Sequence, residues 1–186
     1  MTIIRFGYCK NIKWYAIFSR LIVWFEKFNG SIGASHCYVE VYKEVSNSKL
    51  FDVYRVESVW PKGRVILNKD HSKKYKDVAT YNFIVNKDAD SIIEWCKNRV
   101  AGVPYSFGQN IFLALCNLII QTLRLKNWTW LESIEFNGRA RQNCTEAQML
   151  IMAKYLNFYP TEGYDNFSVS EAHDTIECIW QLKGFK

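Results

Sequence analysis

Apolar and polar positions recur along this chain with two periods, and the period changes mark out its elements. Residues 2–8, Thr-Ile-Ile-Arg-Phe-Gly-Tyr, predict a short strand. Over residues 12–28, Trp14, Ile17, Phe18, Leu21, Phe25 and Phe28 recur at helical spacing and form one apolar stripe, and Asn29-Gly30 supplies the stop. Period two then takes over. His36 to Tyr42 and Phe51 to Glu57 alternate, and Arg64–Leu67 and Tyr81–Val85 add two short strands. Asn47 lies in the first turn and Pro61-Lys62-Gly63 makes the second, so the pattern predicts an antiparallel meander.

Helical spacing returns after Val85. Asp88 or Asp90 can cap a helix over 89–99 that ends near Ala101-Gly102. Residues 108–124 predict an apolar helix, and 125–141 an irregular aromatic stretch with Trp128, Trp130 and Phe136. Residues 143–156 predict a helix with Ala147, Leu150, Ile151 and Tyr155 inward. A loop with Pro160 and Gly163 follows over 157–169, and Ser170-Glu171 opens a last helix. No repeat or linker interrupts residues 1–186. Strands precede helices instead of alternating with them, which predicts a single α+β domain with a possible insertion or lid at about 108–141.

Composition sharpens this picture. The chain has 186 residues, 49% of them hydrophobic and 23% charged, which excludes wholesale disorder. Aromatic residues make up 16%, enough to line a groove or contact surface besides filling a core. The net charge of +6 is scattered, and its densest stretch, Lys69, Lys73, Lys74 and Lys76, reads with His71 as a solvated loop. No basic stripe marks a nucleic-acid partner. The run Trp14 to Phe28 is broken by Arg20 and Glu26, with no small-residue cleavage site, so it is not a signal peptide. Ile111 to Leu123, at about 13 residues, falls short of the roughly 20 that a transmembrane helix needs. These features predict a cytoplasmic or virus- or phage-associated protein. They leave 108–136 as a surface for peripheral membrane or protein contact.

Six cysteines stand at 9, 37, 96, 116, 144 and 178, with no CxxC pair and no nearby histidine pair, so zinc is not expected. Cys37, Cys96 and Cys116 sit in apolar segments and read as small buried hydrophobes of a reducing compartment.

Two strings carry chemistry. Ser35-His36-Cys37-Tyr38 places a histidine at the start of a strand, and Gln142-Asn143-Cys144-Thr145-Glu146 places a cysteine at the start of a helix. Unpaired N–H groups and the macrodipole at a helix N-terminus stabilise a thiolate and can hold an oxyanion. A histidine on a neighbouring strand can pair with that thiolate and later donate a proton. A third polar residue on the next strand would fix the imidazole tautomer. Asp52 and Glu57 are the candidates, and alternation puts them on opposite faces. Each residue also has a plainer reading: Cys144 as a buried structural thiol, His36 as a core histidine, Glu146 as support for the helix start. His173 follows Cys144 too closely, without a strand to carry it, to serve as the base.

With Gly102-Val103-Pro104-Tyr105 between them, these strings resemble those of the NlpC-type papain-like cysteine hydrolases, in the circularly permuted YiiX/YebB-like branch related to lecithin:retinol acyltransferase. The resemblance spans residues 2 to about 155. Thr145 stands where the family often has Ser, and Ser106 where it often has Asp. The resemblance implies a papain-like fold and a cofactor-free cysteine hydrolase with Cys144 as nucleophile and His36 as base and acid. The family's acidic member usually ends a strand just before a Gly-containing turn, which fits Glu57 better than Asp52. Tyr105 and Asn143 become pocket or oxyanion candidates. The implied substrate is a peptide-type amide, as in bacterial cell walls. The alternatives are lipid or thioester acyl transfer, or a catalytically idle module of a virus or phage particle.

Overall fold

The computed structural model describes residues 1–13, 17–28, 32–45, 50–67, 74–106, 142–159 and 168–183. In chain order the elements are β1 (Thr2–Asn11), α1 (Ile17–Phe28), β2 (His36–Glu44), β3 (Phe51–Glu57), β4 (Arg64–Leu67), β5 (Tyr75–Val85), α2 (Ala89–Arg99), α3 (Cys144–Leu156) and α4 (Val169–Leu182). The strands form one antiparallel sheet in the order β4-β3-β2-β1-β5, so the fold is α+β. Among the described residues, no helix is long and apolar enough to cross a membrane.

Alternation along the strands splits the sheet into two unlike faces. Ile4, Phe6 and Tyr8 of β1, Cys37, Val39 and Val41 of β2 and Phe83 of β5 are buried in one cluster with Ile92 of α2, Met149 and Ile151 of α3 and Ile176 of α4. Arg5, Tyr38, Glu40 and Arg55 stand at alternate positions. Arg5 and Arg55 both pair with Glu40, and the Arg55 guanidinium stacks 4.0 Å over the Tyr38 ring. Gly7 lies beneath that ring, and a Cβ there would collide with it.

The meander differs from the expected one. β2, β3 and β4 are consecutive neighbours, but β5 crosses the sheet to pair with β1. β5 also starts at Tyr75, six residues before the alternation becomes visible, because a register shift at Tyr8/Cys9 masks the period. α2 matches its predicted span, with Asp88 as the cap. α4 begins earlier than predicted: Ser168, not Ser170, caps it, in a reciprocal capping box with Glu171. α3 is buried more fully than one stripe implies. Met149 and Met152 are inside, whereas Leu150 and Tyr155 are half-buried. His71, Cys116 and the segment 108–141, with Trp128, Trp130 and Phe136, lie outside the described residues.

Candidate active site

A seam of backbone hydrogen bonds brings α3 to the sheet. The Gly63 N–H donates to Val103 O (2.8 Å), Gly102 N–H to Gly63 O (2.9 Å), and Tyr105 N–H to Pro61 O (2.9 Å). The segment 104–106 then clasps Gln142 from both sides: Gln142 N–H donates to Pro104 O (2.9 Å) and Ser106 N–H to Gln142 O (3.1 Å). The buried Ser58 hydroxyl adds a bond to the same carbonyl at 2.9 Å. Gly63 is required here, because a Cβ would strike the carbonyl of Val100. The β3–β4 turn that follows Glu57 is thereby fastened to the residue two positions before Cys144.

Local sequence finishes the placement. Asn143 caps α3: its Oδ1 accepts from the Glu146 N–H (2.7 Å) and the Thr145 hydroxyl (2.6 Å), while Glu146 reaches back to the Asn143 N–H. Cys144 is the first residue of the helix. One turn on, Gln148 Nε2 donates to Tyr38 O at 3.3 Å, which lays this face of α3 along the start of β2.

Cys144, His36 and Glu57 meet at this point. His36 Nε2 lies 3.4 Å from Glu57 Oε2, with both side chains buried. Glu57 Oε1 in turn receives Arg64 Nε at 2.7 Å, across the Glu57↔Arg64 pair of β3 and β4. Cys37 and His36 are the neighbours that act electrostatically on the Cys144 sulfur. With Nε2 turned to Glu57, Nδ1 is the ring nitrogen left for the sulfur. The influence of Cys37, followed by that of His36, outweighs burial and holds the Cys144 thiol well below its usual range. Burial pulls His36 down, but its bonds to Cys144 and Glu57 raise it from 6.5 to about 9. The two shifts, Cys144 down and His36 up, both favour the thiolate–imidazolium form of the pair.

Of the two acidic candidates, Glu57 joins His36. Asp52 pairs in register with Lys43, toward the other end of β2. Asn143 is buried, and its Nδ2 is a donor with no acceptor among the described residues, beside the nucleophile. Tyr105 joins the site through its backbone, by its bridge to Gln142. Sequence reading missed Tyr75, whose ring lies 5.5 Å from that of His36, tilted by 31°. Two positions beyond the register shift at Tyr8/Cys9, it had no periodic signal to reveal it. It also missed the influence of Cys37 on Cys144. The strand period places Cys37 in the core but says nothing of the helix end that docks there.

His173, set aside as a base, is buried on α4, with Nε2 2.8 Å from the Tyr81 hydroxyl and Nδ1 2.9 Å from Asp174. His173, Asp174 and Glu177 are a group of potential metal ligands among the described residues, with ligating atoms within 4.8 Å of one another. Both ring nitrogens of His173 already have protein partners. No family model, curated protein or solved structure matches this chain.

Proposed function

We propose that this protein is a cysteine hydrolase of the permuted papain-like kind, cleaving a peptide-type amide, with cell-wall peptides as the leading substrate. One observation carries the reading: the cysteine at the first position of a capped helix stands beside a buried histidine whose other side is held by a buried glutamate. A core thiol needs none of these partners. The order of the parts, a histidine strand before a cysteine helix, supports the permuted arrangement.

In this scheme the Cys144 thiolate attacks the carbonyl carbon. The Cys144 N–H and the Asn143 Nδ2 donors receive the developing oxyanion. His36 passes its proton to the leaving amine, then takes one from the water that releases the acyl group. Glu57, anchored by Arg64, keeps the imidazole in one tautomer and orientation.

The test is turnover by purified protein of two panels, muropeptides and short acyl esters, with Cys144→Ala as the blank. Muropeptide cleavage that the blank lacks supports the proposal. Ester turnover alone overturns the amide assignment. Inactivity on both panels, together with a Cys144 no more reactive than a peptide thiol, overturns the enzyme reading.

A further inference from the structure

β5 carries one residue more than β1 can match. Tyr8 pairs with Ala79 and Cys9 with Asp77, so Val78 has no opposite number and the ladder bulges there. A slip of one residue reverses the face that each following side chain joins. Arg5 and Gly7 of β1 stand opposite Glu40 and Tyr38 of β2, on the face that also holds His36 opposite Cys9. Cys9 and Asn11 continue that face, and beyond the bulge their partners on β5 are Asp77 and Tyr75. Without the extra residue, alternation would turn both to the side covered by the helices.

Two contacts follow from the shift. Asp77 Oδ1 accepts a 3.0 Å hydrogen bond from the Tyr38 hydroxyl. The Tyr75 ring lies 5.5 Å from the His36 ring and is inclined to it by 31°, so it offers its face rather than its edge. The chain just before Tyr75 is held as well, because Ile12 N–H donates to Lys74 O at 3.0 Å.

We propose that Tyr75 is a positioning residue for His36: its ring, aimed by the bulge at Val78, backs the imidazole and stabilises the protonated form. This rests on the reading of His36 as the proton carrier of the site. A ring packed on the imidazole opposes the rotation that would take Nε2 away from Glu57, 3.4 Å distant. The π face attracts an imidazolium more than a neutral imidazole, so it favours the form that donates to the leaving group. The Lys74 ammonium, 5.1 Å from the centroid of the same ring, already uses that affinity for cations. The other titratable and charged groups around the two rings are Glu57 of β3, Arg64 of β4, Cys9 of β1 and Cys144 of α3. Substitution at Tyr75 leaves all of them in place.

The full chain, carrying isotope-labelled histidine, is titrated by NMR in its unaltered form and as Tyr75→Phe and Tyr75→Leu. His173, bonded to Tyr81 and Asp174, is the internal control for an intact fold. In Tyr75→Leu the His36 titration should move down by about half a unit to one unit, and in Tyr75→Phe, which keeps the ring, it should stay in place. On whichever substrate panel is turned over, Tyr75→Leu should lower kcat about 2- to 10-fold with KM unchanged, and Tyr75→Phe should restore it. In the unaltered chain, nuclear Overhauser contacts should join the protons of the two rings, a readout that needs no variant. Absence of those contacts, an unmoved His36 in Tyr75→Leu, or an equal fall in Tyr75→Phe would overturn the proposal. The titration needs no turnover, so the two readings fail separately. An unmoved His36 in an active enzyme sinks the role of Tyr75 alone. An inactive chain with an unreactive Cys144 sinks the proton carrier, and the positioning role with it.

Discussion

Two buried histidines of this molecule each bond to a carboxylate, and only one of them is equipped for chemistry. His36 turns Nε2 to Glu57, itself buried, and meets the Cys144 sulfur. His173 turns one nitrogen to the Tyr81 hydroxyl and the other to Asp174, whose side chain is 77% exposed. Its ring also packs edge-on to Tyr8 at 5.1 Å. A histidine with both nitrogens committed to a phenol and a solvated carboxylate joins α4 to the sheet. A histidine set between a buried acid and a thiol is placed to move protons. The distinction lies in what the second nitrogen faces, since burial and a carboxylate are common to both.

The largest effect should come from removing the nucleophile. Cys144→Ala should abolish turnover, a loss on the order of 10⁴-fold or more, while His36→Ala should approach the same loss because the two act as a unit. His36→Ala should also slow iodoacetamide labelling of Cys144 at pH 7, read as a rate by mass spectrometry. Equal labelling rates would show that the histidine does not sustain the thiolate.

Glu57→Gln should cost about 10- to 100-fold less than Cys144→Ala, since it only orients and charges the ring. The pH profile supplies a sharper readout. Because its contacts raise His36 to about 9, the imidazolium persists up to that pH. Turnover should fall as pH rises through about 9, where the proton for the leaving group is lost. Glu57→Gln removes part of that support, so its alkaline limb should move to lower pH. An unmoved limb would mean that Glu57 does not act on His36.

His173→Gln should leave turnover per folded molecule unchanged. It should lower thermal stability, by about 1–3 kcal/mol for the disturbed bond to Tyr81. Loss of activity at temperatures where the variant is fully folded would erase the contrast between the two histidines. The smallest effect belongs to Arg64→Gln. Arg64 is partly exposed and holds only the far oxygen of Glu57, so a loss of about 2- to 5-fold in kcat is expected, with KM unchanged.

The amino-acid sequence made some of this legible and concealed the rest. The spacing around Cys144 signalled a helix beginning there with Glu146 supporting its start, and that helix is present; the sequence did not reveal Asn143 as its cap, in reciprocal bonds with Glu146. The α+β order was readable because each strand and helix carries its own period. The placement of β5 beside β1 was not, since strand alternation specifies which face a residue joins and not which strand lies next to it. That hid Tyr75 above His36. The choice of Glu57 over Asp52 needed the register as well. Alternation separates their faces, but the pairing of Asp52 with Lys43 is what removes it from the His36 end.

The seam from Gly63 through Val103–Ser106 to Gln142 has a consequence for the order in which the protein becomes chemically dangerous to itself. His36 and Glu57 are synthesised well before Cys144 emerges. Until the 104–106 clasp closes on Gln142, the cysteine lacks its partners on β2 and is an ordinary thiol. Closure joins segments far apart in sequence, a slow kind of step in folding. Under the proposed function, reactivity is therefore among the last properties the chain acquires, and the rate at which Cys144 becomes alkylable during refolding would report the final docking event.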